Sequence, residues 1–470
     1  MDDSSAVTLR SRIVRAAVRF LEIVHGDLVD VPDVAIAVNS LEPRWADGLM
    51  DSHYAPRYER DAVLNVGFEQ FARWRDLPEY EKFAQTFRED AWLAAQEDTL
   101  IAVAGGSRVE LLSTVVIRGL HPLMTDSGSV ADFDRPRVEA AVLEVVDDYL
   151  ARTAVVVSVV PLLGYQATVD IVLDAETSVR RLDRDEFSRA VNLSIIGQRT
   201  TSVSPGTVRV PIDHQWALIE RQARPKVVGG EPTFGRDLYQ LSVRAQQFID
   251  ACRLTVKGGV IAGVAASWVV QTSVVAGSAR IDPLTTGVLE GFDGARVHAQ
   301  DVDRLTAMDK LLSDLRRQDR HQYDLALRRF RESATRTNLD DTLVDLVVML
   351  ESVVLNPADR SELAFRLSLN TSLLARAPGS SSGAIRRFLV KVYDTRSQII
   401  HGTIPKSYPT LTGPKSHSLE TTVDDLDRIC RSVLSGCIEE LVHTGQPHDW
   451  SLILDRLLDS SSLAQREPRR

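Results

Sequence analysis

The stretch Tyr393-Asp-Thr-Arg-Ser-Gln-Ile-Ile-His-Gly402 decides how the last third of this chain is interpreted. It closes a predicted amphipathic helix that opens at Gly383 and repeats apolar residues at helical spacing. Gly402 directly follows His401, and glycine just past a helix is typical of its C-terminus because glycine adopts positive φ without strain. The helix is therefore expected to end at His401, with Arg396 in its penultimate turn.

Arg396 and His401 form a plausible pair for phosphate chemistry. An imidazole is suited to proton transfer, and a guanidinium is suited to bidentate hydrogen bonds with phosphate oxygens. Five positions along a helix turn the side chain by roughly 140°, so the two residues do not share a face. Either His401 swings at the glycine-terminated end, or a second copy of the chain supplies one member of the pair. The purely structural alternative is an Arg396 paired with Glu351 inside a helical core.

Length and charge limit the classes of protein to consider. A chain of 470 residues is too long for one ordinary core, so two or three domains are expected. The net charge of −10 argues against a protein that coats nucleic acid with its whole surface, although a local basic site is compatible with it. Aromatic residues concentrated between positions 54 and 80 predict an aromatic core in preference to a base-stacking surface.

The cysteines and the hydropathy pattern indicate a reduced, cytoplasmic protein. The three cysteines, Cys252, Cys430 and Cys437, are an odd and sparse set without zinc-site spacing, so we predict reduced thiols, no metal and no cofactor, with Cys430 and Cys437 in the core. Residues 9–24 fit a docked amphipathic helix, with a membrane-surface helix as the alternative. Residues 258–277 are uncharged, but Gln271 and many small residues favour a β-strand at 267–275 over a membrane span. No membrane association is predicted.

The chain up to residue 318 has a mixed α+β pattern of helices and antiparallel strands, with a further division near residue 150. Strands are predicted at 100–103 and 109–117, around a Gly105-Gly106 turn, and at 154–161, 167–173 and 207–212. Helices are predicted at 137–150, 183–191, 238–254 and 301–317.

From residue 319 to residue 460 strand signals disappear and helical patterns follow one another, which predicts an all-α bundle. Its helices are expected at 323–336, 339–354, 361–376, 383–401, 419–442 and 450–458. Residues 461–470 are expected to be a frayed tail.

This C-terminal third resembles the Apea-like branch of the HEPN superfamily of helical bundles. The motif stretch is similar to the branch's Tyr-x-x-Arg-Ser-x-x-x-His-Gly form, and segments around Glu351 and Glu362 are similar to its second and third helices. The resemblance covers roughly residues 320–445 and implies a HEPN-like bundle. It also implies a metal-independent endoribonuclease of an antiphage, abortive-infection or stress-response system, which acts as a homodimer. Some members of the superfamily only bind RNA, nucleotides or proteins, and a non-catalytic module is the alternative here.

The resemblance and the residue pattern together give a set of candidate residues. The catalytic candidates are Arg396 and His401, with Ser397, Glu351 and Glu362 as supporting residues. Contacts to an RNA backbone are assigned to Arg386, Arg387 and Lys391, with solvated or paired surface charges as the alternative. The expected partners are RNA, with tRNA among the candidates, and a second copy of the chain. The region before residue 319 is expected to sense a trigger of phage origin.

Overall fold

A computed structural model describes most of the chain. The described ranges are 3–29, 31, 35–44, 57–64, 68–97, 101–102, 111–125, 129–183, 186, 201–204, 207–209, 216–228, 234–270, 279–281, 293–317, 323–355, 362–375, 380–413 and 418–445. The chain divides into two compact units. Unit 1 comprises Met1–Leu162, Asp170–Val243 and Gly263–Leu284, and unit 2 comprises Leu163–Val169, Arg244–Ala262 and Thr285–Arg470.

Unit 1 begins with a helical region built on one long helix. Its helices are α1 (Asp3–Leu28), α2 (Phe68–Arg75), α3 (Pro78–Arg88), α4 (Ala91–Glu97), α5 (Leu111–Leu120) and α6 (Arg135–Leu150). Helix α1 confirms the amphipathic helix predicted at 9–24, because Ile13, Ala17, Leu21, Val24 and Leu28 recur at helical spacing and are all buried.

The core of this helical region is rich in aromatic residues, as predicted. The Trp74 and Tyr80 side chains are buried, and the Phe87 and Tyr149 rings meet edge to face with centroids 5.3 Å apart. These rings lie in one apolar cluster with the buried face of α1. The described aromatic residues between positions 54 and 80 therefore pack in the core.

The strand predicted at 109–117 is wrong, because residues from Leu111 onward form helix α5. The segment is rich in β-branched residues, which suggested a strand. Its buried positions, however, are Leu111, Leu112, Val115 and Val116, which recur four residues apart and lie on one side of a helix. Helical periodicity therefore outweighed β propensity. The Gly105-Gly106 turn lies outside the described residues.

The middle of the chain contributes antiparallel sheets to unit 1. One sheet has the strand order β14 (Ala279–Ile281), β13 (Ala265–Val269), β4 (Thr153–Leu163), β10 (Trp216–Pro225), β7 (Thr177–Arg181) and β6 (Ile171–Val172). A second has the order β1 (Ala35–Arg44), β2 (Arg57–Leu64), β9 (Thr207–Arg209) and β8 (Thr201–Ser204). A short pair joins β3 (Ile101–Ala102) to β11 (Val227–Val228).

Strand β4 holds a central place in the larger sheet because its neighbours cover both edges. Val155 to Pro161 pair with β10, and Val156 to Val159 pair with β13. Its run of valines is almost wholly buried, which confirms the strand predicted at 154–161. The hydroxyls of Ser158 and Ser267, which face each other across β4 and β13, lie 2.8 Å apart and satisfy one another.

Unit 2 is mainly helical. Its helices are α7 (Phe234–Thr255), of which the residues from Arg244 onward belong to this unit, α8 (Val302–Arg317), α9 (Asp324–Ser333), α10 (Leu339–Val354), α11 (Leu363–Leu374), α12 (Ser382–Ile400) and α13 (Leu419–Thr444). A short parallel pair joins β5 (Tyr165–Ala167) to β15 (Ala295–Val297), and β12 (Ile261–Ala262) also lies in this part of the chain.

The chain therefore has a helical N-terminal region, an antiparallel sheet region in its middle and a helical C-terminal part. The helices predicted at 137–150, 238–254 and 301–317, and those between 323 and 442, are confirmed within two to four residues at their ends. The helices predicted at 183–191 and 450–458 lie outside the described residues, apart from residues 183 and 186. The boundary proposed near residue 319 also lies outside them, and it stays a prediction.

The burial of the cysteines and the hydropathy of the helices can be compared with the predictions from the sequence. Cys252, Cys430 and Cys437 are buried, which confirms the core positions predicted for Cys430 and Cys437 and adds Cys252 to the core. None of the described helices combines the length and the apolar composition needed to cross a bilayer. Of the segment predicted as a strand at 267–275, residues up to Val269 lie in β13.

Candidate functional site

Helix α12 carries the candidate site and is fixed at both ends. At its start the Ser381 hydroxyl caps the helix by accepting the Ala384 N–H at 3.2 Å, so the helix begins one residue before the predicted Gly383. One face packs into the unit through buried side chains at helical spacing. These are Ile385, Phe388, Leu389, Val392 and Thr395.

The C-terminus of α12 is closed by a glycine, as the sequence predicted. Gly402 has φ of +73°, and its N–H donates to the Ile399 carbonyl at 2.9 Å. The Thr403 N–H donates to the Gln398 carbonyl at 2.8 Å, which completes a Schellman motif. His401 is the C-cap residue, and its N–H donates to the Ser397 carbonyl at 3.1 Å. The backbone around the histidine is thereby fixed even though its side chain is exposed.

Arg396 lies half-buried beside Glu351 of α10. Its Nη2 is 3.8 Å from the Glu351 Oε2, which is an ion-pair distance but too long for a hydrogen bond, and each side chain is 24% exposed. The Nε atom is buried and has no hydrogen-bond partner among the described residues. The guanidinium also lies 5.9 Å from the centre of the Tyr393 ring. Arg396 is therefore positioned by charge and packing while its donors stay uncommitted.

Glu351 connects Arg396 to a residue to which the sequence assigned no role. Burial, followed by the charge of Glu351, raises the pKa of Tyr393 above its usual value. The Tyr393 hydroxyl therefore stays protonated near the carboxylate. Tyr393 and Arg396 are three positions apart on one helix, and this spacing could have identified the pair from sequence.

The other predicted residues of the site are distributed over three helices. Ser397 contributes its backbone carbonyl to the helix end. Glu362 is the N-cap of α11 with φ of 56°, is exposed, and forms no ion pair with Arg396 among the described residues. Glu351 is therefore the predicted carboxylate that the fold brings to the arginine.

The three predicted backbone-contacting cations are exposed on α12. They are Arg386, Arg387 and Lys391. The guanidinium of Arg386 stacks 4.9 Å from the centre of the Phe365 ring. Arg387 and Lys391 are four positions apart and share a helix face. All three cations face solvent, so their role in contacting RNA stays a prediction.

The end of α12 exposes apolar surface next to His401. Ile400 is 50% exposed and Ile404 is 86% exposed. Large aliphatic side chains this exposed, on both sides of one histidine, are unfavourable in water unless another surface covers them.

The arrangement can bind an oxyanion and move a proton at two neighbouring points of one helix end. The free Nη donors of Arg396 suit a phosphate, and the exposed imidazole of His401 is accessible to a substrate. No protein-family profile, curated protein or solved structure matches this chain.

Proposed function

We propose that this protein is a metal-independent endoribonuclease whose C-terminal helices form a HEPN-like bundle with Arg396 and His401 as catalytic residues. The observation that carries the proposal is the state of Arg396. A half-buried arginine that is positioned by Glu351 at 3.8 Å, yet makes no hydrogen bond among the described residues, keeps its donors for a ligand. An oxyanion is the ligand that best matches these donors.

The proposed reaction is an internal transesterification. A base removes the proton of the ribose 2′-hydroxyl, the 2′-oxygen forms a bond to phosphorus, and the bond from phosphorus to the 5′-oxygen breaks as that oxygen receives a proton. The products are a 2′,3′-cyclic phosphate and a 5′-hydroxyl. Arg396 stabilises the charge on the non-bridging oxygens, and His401 transfers protons.

The site is proposed to be completed by a second copy of the chain. Five positions along an ideal helix separate side-chain directions by roughly 140°, so Arg396 and His401 of one chain do not share a helix face, and one histidine accounts for one of the two proton transfers. Two copies meeting at the ends of α12 would supply a second histidine and cover Ile400 and Ile404. We place this homodimer in the cytoplasm and assign it to antiphage defence, abortive infection or a stress response, in which unit 1 responds to a phage-derived trigger.

The experiment is an RNA cleavage assay in EDTA with purified full-length protein, total RNA and tRNA. We expect Arg396→Ala and His401→Ala each to lower the rate by about 100-fold or more, with products that carry a 2′,3′-cyclic phosphate. His443→Ala is the matched control, because His443 is exposed near the end of α13 and should leave the rate unchanged. Equal rates for the wild type and both site variants would refute the catalytic assignment.

A non-catalytic binding module is the second candidate. It is favoured by His401, whose ring has no orienting partner among the described residues, whereas a catalytic histidine is usually held by a second group. In that case RNA binds without being cleaved, and binding weakens in Arg396→Ala. A filter-binding measurement on the same variants separates the two functions.

A further inference from the structure

A cleft lies inside unit 2, away from the Arg396 end of α12. It runs between α8 and α13, is closed by the end of α7 and has a volume of about 1110 Å³. Its apolar wall includes Met308 and Leu311 of α8 and Leu374 of α11. We call it the α8–α13 cleft, and its polar part is formed by Thr255, Lys257, Arg304, Arg431, Ser435 and their neighbours.

Two hydroxyl groups in the wall of this cleft have no partner. Thr255 is only 6% exposed, and neither its Oγ1 nor the buried Oγ of Ser435 has a hydrogen-bond partner among the described residues. Buried polar groups are nearly always satisfied, so an orphaned hydroxyl indicates a partner that comes from outside the chain. Both residues belong to the lining of the cleft.

The charges at the Thr255 end of the cleft leave one cation without a carboxylate. Lys257 pairs with Asp424 at 2.8 Å, and Arg431 pairs with Asp427 at 2.6 Å. Arg304 instead donates to the Leu254 carbonyl at 3.3 Å and forms no ion pair among the described residues. Because Leu254 directly precedes Thr255, this hydrogen bond places the Arg304 guanidinium beside the backbone at Thr255, and its remaining donors have no carboxylate partner among the described residues.

Negative charge elsewhere in the cleft limits what can bind. Glu420, Glu439 and Glu440 are exposed residues of its lining and would repel a polyanion. A nucleic-acid strand is therefore a poor match. A ligand with a single anionic group, bound at Arg304, fits the charges better than a polyanion does.

Gly436 leaves part of the cleft lining without a side chain. It lies inside helix α13, lines the cleft, and has no atom within 4 Å of the place where a Cβ would be. Glycine weakens a helix relative to alanine, and here no contact within the protein requires it. A missing side chain at this position keeps the cleft open.

We infer that the α8–α13 cleft binds a small organic anion that joins an oxyanion head to an apolar body. The head, a phosphate or a carboxylate, binds Arg304 and the Thr255 hydroxyl. The body lies against Met308 and Leu311, and the Ser435 hydroxyl bonds to a polar atom of the ligand. This site is independent of the proposed reaction at Arg396, because none of its residues belongs to that site.

The test uses 8-anilinonaphthalene-1-sulfonate, an aromatic anion that fluoresces in apolar surroundings, with the full-length protein. We expect saturable binding at one site, with displacement by hexyl phosphate or hexanoate. The more effective competitor identifies the head group. Hexyltrimethylammonium and hexyl glucoside should not compete, and equal displacement by either of them would overturn the anion assignment.

Three variants test the location of the site. Arg304→Gln should weaken binding roughly tenfold, since one hydrogen bond to a charged group is lost. Thr255→Val should weaken binding while keeping or raising the melting temperature, because it removes an unpaired buried hydroxyl. Gly436→Gln should abolish binding by filling the cleft, again with an equal or higher melting temperature.

The matched control is Gly26→Gln. Gly26 is also a helical glycine with no atom within 4 Å of its Cβ position, but it lies in α1 of unit 1. Its variant should bind the probe like the wild type. Unchanged binding in Gly436→Gln and Arg304→Gln, or equal losses in Gly26→Gln and Gly436→Gln, would overturn the assignment of the cleft. Both results are independent of whether RNA is cleaved.

Discussion

Arg253 and Arg396 are two helix arginines of the same unit, each near a carboxylate, yet their surroundings differ. Arg253 is 6% exposed and donates to Asp427, to the Phe330 carbonyl at 3.0 Å and to the Ser333 hydroxyl at 3.2 Å. Its guanidinium also stacks 4.0 Å from the centre of the Phe330 ring. Arg396 has one ion-pair contact at 3.8 Å and no hydrogen bond among the described residues.

This difference separates an arginine that holds the fold from one that is available to a ligand. Arg253 joins α7, α9 and α13, and its Nε and Nη2 donors are used inside the protein. Arg396 contacts α10 through the carboxylate of Glu351, and its N–H groups make no hydrogen bond among the described residues. Both residues are helix arginines, so the sequence does not distinguish them. Whether the guanidinium N–H groups are hydrogen-bonded inside the protein is a better guide to function than the residue type.

The largest effect on stability is expected for Arg253→Met. The substitution leaves the buried Asp427 with Arg431 as its remaining partner and removes the donor to the Phe330 carbonyl. We expect a loss of about 3 kcal/mol or more in the free energy of unfolding, as for other broken buried ion pairs. Urea denaturation followed by circular dichroism measures it. A loss below about 1 kcal/mol would place Arg253 in the same class as Arg396.

A somewhat smaller effect, with a defined pH dependence, is expected for Asp427→Asn. Burial alone would raise the pKa of Asp427, but the charges of Arg253 and Arg431 outweigh it and hold the pKa below its ordinary value of 3.8. Below that value the unfolded chain binds more protons than the folded protein, so the charged Asp427 stabilises the fold above pH 3.8 and ceases to do so as the pH falls.

We therefore expect Asp427→Asn to cost about 2 kcal/mol near neutral pH, with the difference from the wild type shrinking below pH 3.8. Urea titrations of both proteins over this range measure the difference. A constant difference at every pH would show that the loss comes from packing, without a contribution from the ionised carboxyl.

The contrast between the two arginines also shows which parts of the molecule sequence could predict. The end of α12 could be predicted because the residues that define it are close in sequence. Arg396 and the spaced apolar residues lie in one helix, and Gly402 directly follows its C-cap residue. The contact between Arg253 and Asp427 joins residues 174 positions apart, and no local period reveals such a pairing. The association of Glu351 with Arg396 was one of two options in the sequence, and only the packing of α10 against α12 decided it.

Helix α5 shows a different limit of sequence reading. Its β-branched residues fit a strand by propensity, while the four-residue spacing of its buried positions fits a helix. Intrinsic β propensity depends on context, and packing against α1 and α6 supplied the context here. A segment where propensity and period disagree should be assigned by its period.

A smaller effect is expected for Gly402→Ala, which tests whether the Arg396 end depends on its helix terminus. A β-carbon at φ of +73° is strained although space is open around it, so we expect a loss of about 1 kcal/mol. Gly436→Ala is the matched control, because that glycine lies in a helix interior with open space and its substitution should stabilise. Thermal denaturation measures both, and effects of the same sign would contradict the Schellman interpretation.

The smallest effect on stability is expected for Arg396→Gln. The ion pair with Glu351 is long and both side chains are 24% exposed, so screening by water leaves a loss below about 0.5 kcal/mol. Urea denaturation of Arg396→Gln beside Arg253→Met measures the contrast directly. A loss of 2 kcal/mol or more would mean that Arg396 holds the fold. If stability is kept while cleavage or binding of RNA is lost, the role of Arg396 lies in its uncommitted donors, because its removal then changes only what the site can bind.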